Sequence, residues 1–589
     1  MGEDYSGNDN DFAHIGTIST HDQLIDSPTN NFPAINPLNL FSISESNLAE
    51  ANLHGEGGSS GSASGGNWRN AYCTFQVPLS GSYYWEFVSS NHVYAFPAIQ
   101  TMAARANTNS HNTDFSIVQA GEYRIDGTGD ANTSNISTGD IIGIWVNDSQ
   151  VKVYVNNSLD HTFSSNLVAG KEYFPTIVGS SLGYFNFGQD SSFAGQKTAQ
   201  GNADSNGFGD FYYSPKGLAL CSSNLANPAA DPAEEEQPSK FFSPYIWTGN
   251  GQSRNITIAS DKKPSMTWIK NYLGDTVSWN IWQHGYSDFD GDPDSFLEPV
   301  GTALMYANQG NDGPFTGAPS ATALPLTVYG QVNGNTHSYV GYVWSMNGGS
   351  NSTNTEGSVD SEVDANATVG QSLVTYTGTN NSWGNAITVG HGLDAAPDFI
   401  IAKQMTGNAD EWAVFHSAVG NGGGSSAAHN SLVLNSTAAL YTNQSYKGFG
   451  GTMPTSTVFT VDGNNQNRSG SKIVAMCFTS KEGYSRFGSY EGNGNAEGTF
   501  VYTGFKPSMI WAKSIDSTSD WFVFDNKRLG FNVDNDALAI NTTAVRTTTD
   551  MVDILSNGFK FRIATDPNVA ETYIYCAWAD VPFKYATAR

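Results

Sequence analysis

The chain has 589 residues, 55 of them acidic and 27 basic, for a net charge of −28, and no basic stripe offsets that balance. Such a charge disfavours a nucleic-acid backbone or an anionic membrane surface as partner. With 62 glycines, 12% aromatic and only 14% charged residues, the composition argues against long helices and for short strands joined by polar turns, an all-β chain.

Residues 1–30 are polar and rich in Asn and Asp, and are expected to form an N-terminal arm. The segment Asp4-Tyr5-Ser6-Gly7-Asn8-Asp9-Asn10-Asp11-Phe12 resembles junction sequence of longer phage fibre proteins, which leaves open whether Met1 is the natural start. The first residues carry neither the positive nor the apolar region of a secretory leader. No apolar stretch reaches the ~18–20 residues of a membrane span, so membrane insertion is not expected.

Residues 31–224 read as one β-sandwich. In Ser82-Tyr83-Tyr84-Trp85-Glu86-Phe87-Val88 the alternation puts Tyr83, Trp85 and Phe87 on one buried face. The run Gly139-Asp140-Ile141-Ile142-Gly143-Ile144-Trp145-Val146 turns at Asn147-Asp148-Ser149-Gln150 and returns as Val151-Lys152-Val153-Tyr154-Val155, a hairpin. Tyr173-Phe174-Pro175 and Phe185-Asn186-Phe187-Gly188-Gln189 follow. These pieces, spread over residues 70–190, resemble a SPRY domain, a concanavalin-like sandwich whose ligand sites lie on loops. The resemblance implies binding rather than catalysis.

Residues 225–240, with Pro228, Pro232, Pro238 and the run Glu234-Glu235-Glu236, form a semi-rigid linker. Beyond it one signature is written three times. It reads Pro264…Lys270…Trp279…Trp282, then Pro397…Lys403…Trp412…Phe415, then Pro507…Lys513…Trp521…Phe524. Proline to lysine is six residues in each copy, lysine to tryptophan nine, nine and eight, and tryptophan to the next aromatic three. Each copy opens on an aromatic-Thr-Gly triplet, Trp247-Thr248-Gly249, Tyr376-Thr377-Gly378 and Tyr502-Thr503-Gly504, and closes on an apolar strand ending at Trp344, Phe478 or Trp578. Periods near a hundred residues exceed the ~20–50 of solenoids. The expectation is three tandem sandwich domains, each with its own core: 241–346, 371–485 and 486–589, with a flexible linker over 347–370. The span Phe487-Gly488-Ser489-Tyr490-Glu491-Gly492-Asn493-Gly494 together with Pro582-Phe583-Lys584-Tyr585 resembles a phage-specific family found at the C-terminal ends of tail-fibre-like proteins.

Four carboxylates at every second position, Asp288, Asp290, Asp292 and Asp294, could supply Ca²⁺ with oxygens. Gly291 and Glu298 depart from an EF-hand loop, and the alternative is a solvated acidic loop. No other cofactor is expected. The histidines show no zinc spacing, and His416 reads as a strand-end residue. The repeated lysines read as strand-end groups with the amine in water, and the repeated tryptophans Trp279, Trp412 and Trp521 as core. Ligand-stacking aromatics belong on loops, where Trp68, Tyr212, Tyr213, Trp383 and Tyr441 lie. The cysteines Cys73, Cys221, Cys477 and Cys576 read as buried free thiols, which suits assembly in a reducing host cytoplasm.

The function read from this is a virion structural protein, not an enzyme. It is a phage tail fibre or adhesin on the particle surface, joined to other virion proteins, that binds host surface glycan or receptor through loops. A homotrimer is expected by analogy with such fibres. A capsid decoration or head-fibre protein is the alternative, and a polysaccharide depolymerase the third.

Overall fold

A computed structural model describes residues 30–580 apart from 42–47, 50–51, 56–68, 90–94, 102–113, 119–121, 127, 133–135, 169–170, 180–182, 227–236, 284–294, 307–312, 381, 383, 420–429, 443–448, 529–531 and 533–534. It divides into two compact units, Met1–Ala226 and Asn227–Arg589. Both are built from sheets, the all-β class that the composition predicts, with antiparallel pairing throughout the named strands except Leu218–Ala219, which runs parallel to Ser82–Ser89.

In the first unit two sheets face each other across an apolar core. One sheet orders Ile35–Phe41, Arg69–Cys73, Tyr173–Gly179, Ala95–Thr101, Phe115–Val118, Glu122–Ile125 and Thr128–Asn132. The other is centred on Ser82–Ser89, with Ile141–Asn147, Val151–Val155 and Ser158–Thr162 to one side and Gly183–Asn186 to the other. Tyr83, Trp85 and Phe87 lie in the core as the alternation requires. The hairpin turns where expected: Val146 faces Val151, and the Asn147 side chain accepts from the Ser149 and Gln150 amides. The outward residues of the same strand are also buried, because the segment from residue 188 to 221 crosses them. Phe211 meets Tyr84 edge-on at 5.6 Å, and Phe193 packs with Val88 and Ile141.

The second unit holds one sheet per repeat. Each has the order opening, closing, second, third strand: Phe242–Thr248, Ser338–Trp344, Met266–Leu273 and Asn280–Gln283 in repeat one; Gln371–Thr377, Lys472–Phe478, Phe399–Gln404 and Ala413–His416 in repeat two; Ser485–Glu491, Thr572–Trp578, Met509–Ser514 and Phe522–Asp525 in repeat three. A small outer sheet covers one face of each.

Repeats two and three each keep an apolar cluster of their own under the outer sheet, but the repeats are not independent as expected. Their inner faces meet in one cluster that contains Trp268, Trp344, Phe399, Trp412, Phe478, Trp511, Trp521 and Trp578. The equivalent closing residues touch mutually, with centroids 6.4 Å apart for Trp344 and Phe478, 5.4 Å for Phe478 and Trp578, and 5.9 Å for Trp344 and Trp578. Three equivalent groups in mutual contact place an approximate threefold axis between them. The physical reason is that each sheet has two apolar faces and only one small sheet of its own to cover them.

The repeated lysines correct a second expectation. Lys270, Lys403 and Lys513 are 0%, 1% and 0% exposed, and each ammonium donates to one carbonyl in its own repeat and one in another. Across the seams Lys270 reaches Thr543 O at 2.9 Å, Lys403 reaches Thr302 O at 2.8 Å and Lys513 reaches Thr437 O at 3.1 Å. The repeated tryptophans follow the same circuit: Trp279 Nε1 donates to Ala539 O, Trp412 to Glu298 O and Trp521 to Val433 O, at 2.9, 3.3 and 3.0 Å. Backbone amides complete it, Arg546 to Tyr272 O, Met305 to Met405 O and Leu440 to Ile515 O. The side chains of repeat one therefore donate to three, those of two to one and those of three to two, while the backbone amides donate back across the same seams, a head-to-tail arrangement that closes within one chain. Burial pushes the lysine pKa values down to about 7, 8 and 8, against the pull of the Asp410 carboxylate on Lys403 and of those of Asp566, Asp520 and Glu571 on Lys513.

Two further expectations change. Residues 347–370 are not a flexible linker: Ser352–Asn354 and Ser361–Asn366 form strands that extend the sheet of repeat two beyond Gln371–Thr377. The triplet Tyr502-Thr503-Gly504 is not the third opening signature, since Phe500–Tyr502 belongs to the outer sheet. Its place is taken by Tyr490-Glu491-Gly492. Trp247 Nε1, Tyr376 OH and Tyr490 OH donate to Val332 O, Gln466 O and Pro567 O. A Cβ on Gly249, Gly378 or Gly492 would come within 1.9, 2.2 or 1.9 Å of a carbonyl oxygen, which only glycine avoids.

Candidate functional site

The outer face of the Ser82–Ser89 sheet brings together groups far apart in sequence. Register sets Tyr84 opposite Trp145 and Glu86 opposite Gly143, then Trp145 opposite Lys152, Gly143 opposite Tyr154, and Tyr154 opposite Leu159. Gly143 is required here, because a Cβ would lie 2.5 Å from the Tyr84 hydroxyl that crosses it.

Glu86 is fully buried beneath this face. Its Oε1 accepts from the Tyr213 amide at 2.8 Å and the Tyr84 hydroxyl at 3.2 Å; its Oε2 accepts from the Tyr212 amide at 2.9 Å and Asn186 Nδ2 at 3.3 Å. Burial pushes its pKa up to about 7 against the opposing pull of these donors. Burial first, and then the neighbouring carboxylate, raise the Tyr84 phenol well above its ordinary value.

Above the carboxylate the half-buried rings of Tyr212 and Tyr213 meet edge to face, 4.9 Å apart and 79° inclined. Asn202 Nδ2 holds the Tyr212 carbonyl at 2.8 Å. On the same sheet face Lys152 lies over the half-buried Trp145 ring at 4.7 Å and Lys216 near that of Tyr154 at 5.8 Å, while Leu159 is 55% exposed. Partly exposed rings beside hydroxyls and ammonium groups can stack on the apolar face of a sugar or side chain and hydrogen-bond its edge.

Of the residues predicted to bind ligand, the structure unites Tyr212 and Tyr213. Tyr441 lies in the second unit, half-buried, its backbone exchanging hydrogen bonds with Ser431. Trp68, Trp383 and the Ca²⁺ candidates Asp288, Asp290, Asp292 and Asp294 lie outside the described residues, among which no cluster of three or more metal-ligating side chains occurs. The four cysteines are buried and none forms a disulfide. Sequence reasoning missed Glu86, Trp145, Tyr154, Lys152 and Lys216. The available signal was the alternation that turns Tyr84 and Glu86 away from the core; it does not report the segment that later covers them.

A family model described as a domain of unknown function, DUF7483, matches residues 237–582. The chain belongs to this family. The DUF7483 match takes in all three repeats and lies wholly within the second unit. No curated protein matches the chain. Among solved structures, it is similar to the SPRY domain of human HERC1 at 17% identity, covering 26% of this chain and 96% of that one with a TM-score of 0.22. It is also similar to the PSpry domain of TRIM65 at 12% identity, covering 26% and 92%, TM-score 0.22. A third similarity is to the carbohydrate-binding module CBM66 from Bacillus subtilis at 11% identity, covering 20% and 78%, TM-score 0.16. The fold of the first unit rests on its own two sheets rather than on these scores.

Proposed function

We propose that this DUF7483 protein is a surface component of a phage particle, a tail fibre or adhesin that binds host glycan or receptor through the first unit. The observation that carries the reading is the tyrosine pair, fixed from below by Glu86 on a sheet whose same face also carries Trp145, Tyr154 and Lys152. The resemblance of the C-terminal signature to a phage-specific family supports the virion setting. The repeats spend their shared residues on seams: the lysines and tryptophans that recur are all buried. Recognition is therefore assigned to the first unit and scaffolding to the second, and avidity comes from several chains on one particle.

Decoration of a capsid is the second reading. It is favoured by the ring, which supplies a threefold arrangement inside a single chain, where the fibre reading expects a homotrimer by analogy.

The test is competition for phage adsorption by the purified full-length chain and by its Tyr212→Ala/Tyr213→Ala double variant. Saturable blocking by the parent, lost by about tenfold or more in the variant, is expected, since hot-spot aromatics contribute upward of ~1.4 kcal/mol. No blocking by the parent would remove the adhesin reading and leave decoration.

A further inference from the structure

The first unit buries a carboxylate with four uncharged donors arranged around it, two on each oxygen. A carboxylate is the side-chain group that accepts this number at one point: two oxygens offer about four lone-pair sites, whereas an amide offers one oxygen and sets an NH₂ against the remaining donors. Two of the donors are consecutive backbone amides, and they belong to Tyr212 and Tyr213. Catching two successive N–H groups fixes the peptide plane between them and the directions in which both side chains leave the backbone. The other donors hold the carboxylate itself. Tyr84 crosses the gap left by Gly143, and Asn186, whose Nδ2 also donates to Asp210 O at 2.9 Å, ties the sheet to the start of the tyrosine segment.

Glu86 is 126 residues from Tyr212 in sequence, and every atom it presents is turned toward this one segment and its supports. Burying a carboxylate away from water is costly unless it is fully hydrogen-bonded. An apolar side chain at this position would avoid that cost but leave the two amides unpaired.

We infer that Glu86 is a positioning residue, holding the Tyr212–Tyr213 pair in the arrangement it presents to ligand. The inference rests on the proposed binding role of that pair. On the opposite side the Tyr212 carbonyl stays with Asn202, so loss of the carboxylate frees the amide side of the segment and leaves the chain attached.

Two measurements on the full-length chain test it. The first is hydrogen exchange of the peptide containing Tyr212 and Tyr213, with and without Glu86→Gln. Protection there is expected to fall by about tenfold or more, the effect of losing a hydrogen bond to a charged group, while peptides from Arg69–Cys73 and Tyr173–Gly179 in the opposite sheet keep theirs. The second is the concentration that half-blocks phage adsorption, expected to rise by about tenfold or more. Combining Glu86→Gln with Tyr213→Ala should give less than the product of the two separate effects, because both act through one pair.

Tyr84→Phe removes a single donor and keeps the ring against Phe211. It provides the milder variant should Glu86→Gln fail to fold, with a smaller loss of protection at the same peptide. Unchanged protection at that peptide in the variants overturns the inference, as does loss spread evenly over the first unit. If the parent does not block adsorption, the adhesin reading falls, and exchange alone decides the role of Glu86.

Discussion

His416 ends a strand of repeat two and lies against repeat three. Its Nδ1 accepts from the Ala418 amide at 3.1 Å, which leaves Nε2–H to donate to Tyr575 O at 3.1 Å. Both ring nitrogens are used by the neutral form, and burial pushes the pKa from 6.5 down to about 4. The sign follows from linkage. The unfolded chain takes up its proton near pH 6.5 and the folded chain only near 4, so the stability His416 confers is complete above 6.5 and is lost as pH falls through that window. The full effect is about 3 kcal/mol. Urea unfolding on either side of the window should show a smaller acid loss in His416→Gln than in the parent; equal losses would mean that the imidazole is not the sensitive group. In the sequence this histidine reads as a strand end, which it is. What the strand end touches lies 159 residues away.

At the scale of elements, the seams are not equivalent in what holds them. Repeats one and two, and two and three, are joined by the chain itself; repeats three and one meet without such a connection. That closing seam carries an additional buried key. The Tyr342 hydroxyl of repeat one donates to Asp525 Oδ2 of repeat three at 2.6 Å, Arg528 pairs with the same carboxylate, and the guanidinium lies 5.9 Å from the Tyr272 ring. A buried ion pair adds little over an apolar replacement, but removing one partner strands the other charge. Asp525→Ala should therefore destabilise the second unit by about 3–5 kcal/mol, measured as a shift in the urea midpoint at constant slope. A shift below about 1 kcal/mol, the range of an exposed pair, would show that the key carries no weight. The strands themselves follow from their residues. The closing strands are apolar almost throughout because one face meets the shared core and the other an outer sheet, as Met476 and Cys477 show in repeat two.

For the whole molecule, the shared core changes what unfolding should look like. Three tandem domains would melt in up to three steps, each responding only to substitutions of its own. A ring whose repeats are completed by one another should melt as one cooperative unit. Calorimetry of the full chain is expected to show a single transition for the second unit, and Lys403→Met, which leaves the carbonyls of Thr302 and Asp410 without their donor, should move that transition as a whole. Splitting into a shifted and an unshifted part would count against the shared core. Ring closure also bears on assembly: seams satisfied within a chain offer nothing to a second copy, so any trimer has to form through other surfaces.

The sequence by itself determined the all-β class, the sandwich pattern around Trp85, the hairpin at Asn147 and the spacing that defines the repeats. These are properties of neighbours along the chain: alternation fixes which side chains share a face, and Asn, Asp and Gly fix where a strand turns. Only the tertiary structure decided what covers each face. Periodicity says that Trp268 and Trp578 turn inward and is silent on whether they turn toward one core or several. It likewise places Lys403 at a strand end without revealing that a loop of another repeat arrives above it. Glu86 lay on the outward side of its strand in both views, and it was the segment carrying Tyr212 and Tyr213 that made it an interior residue.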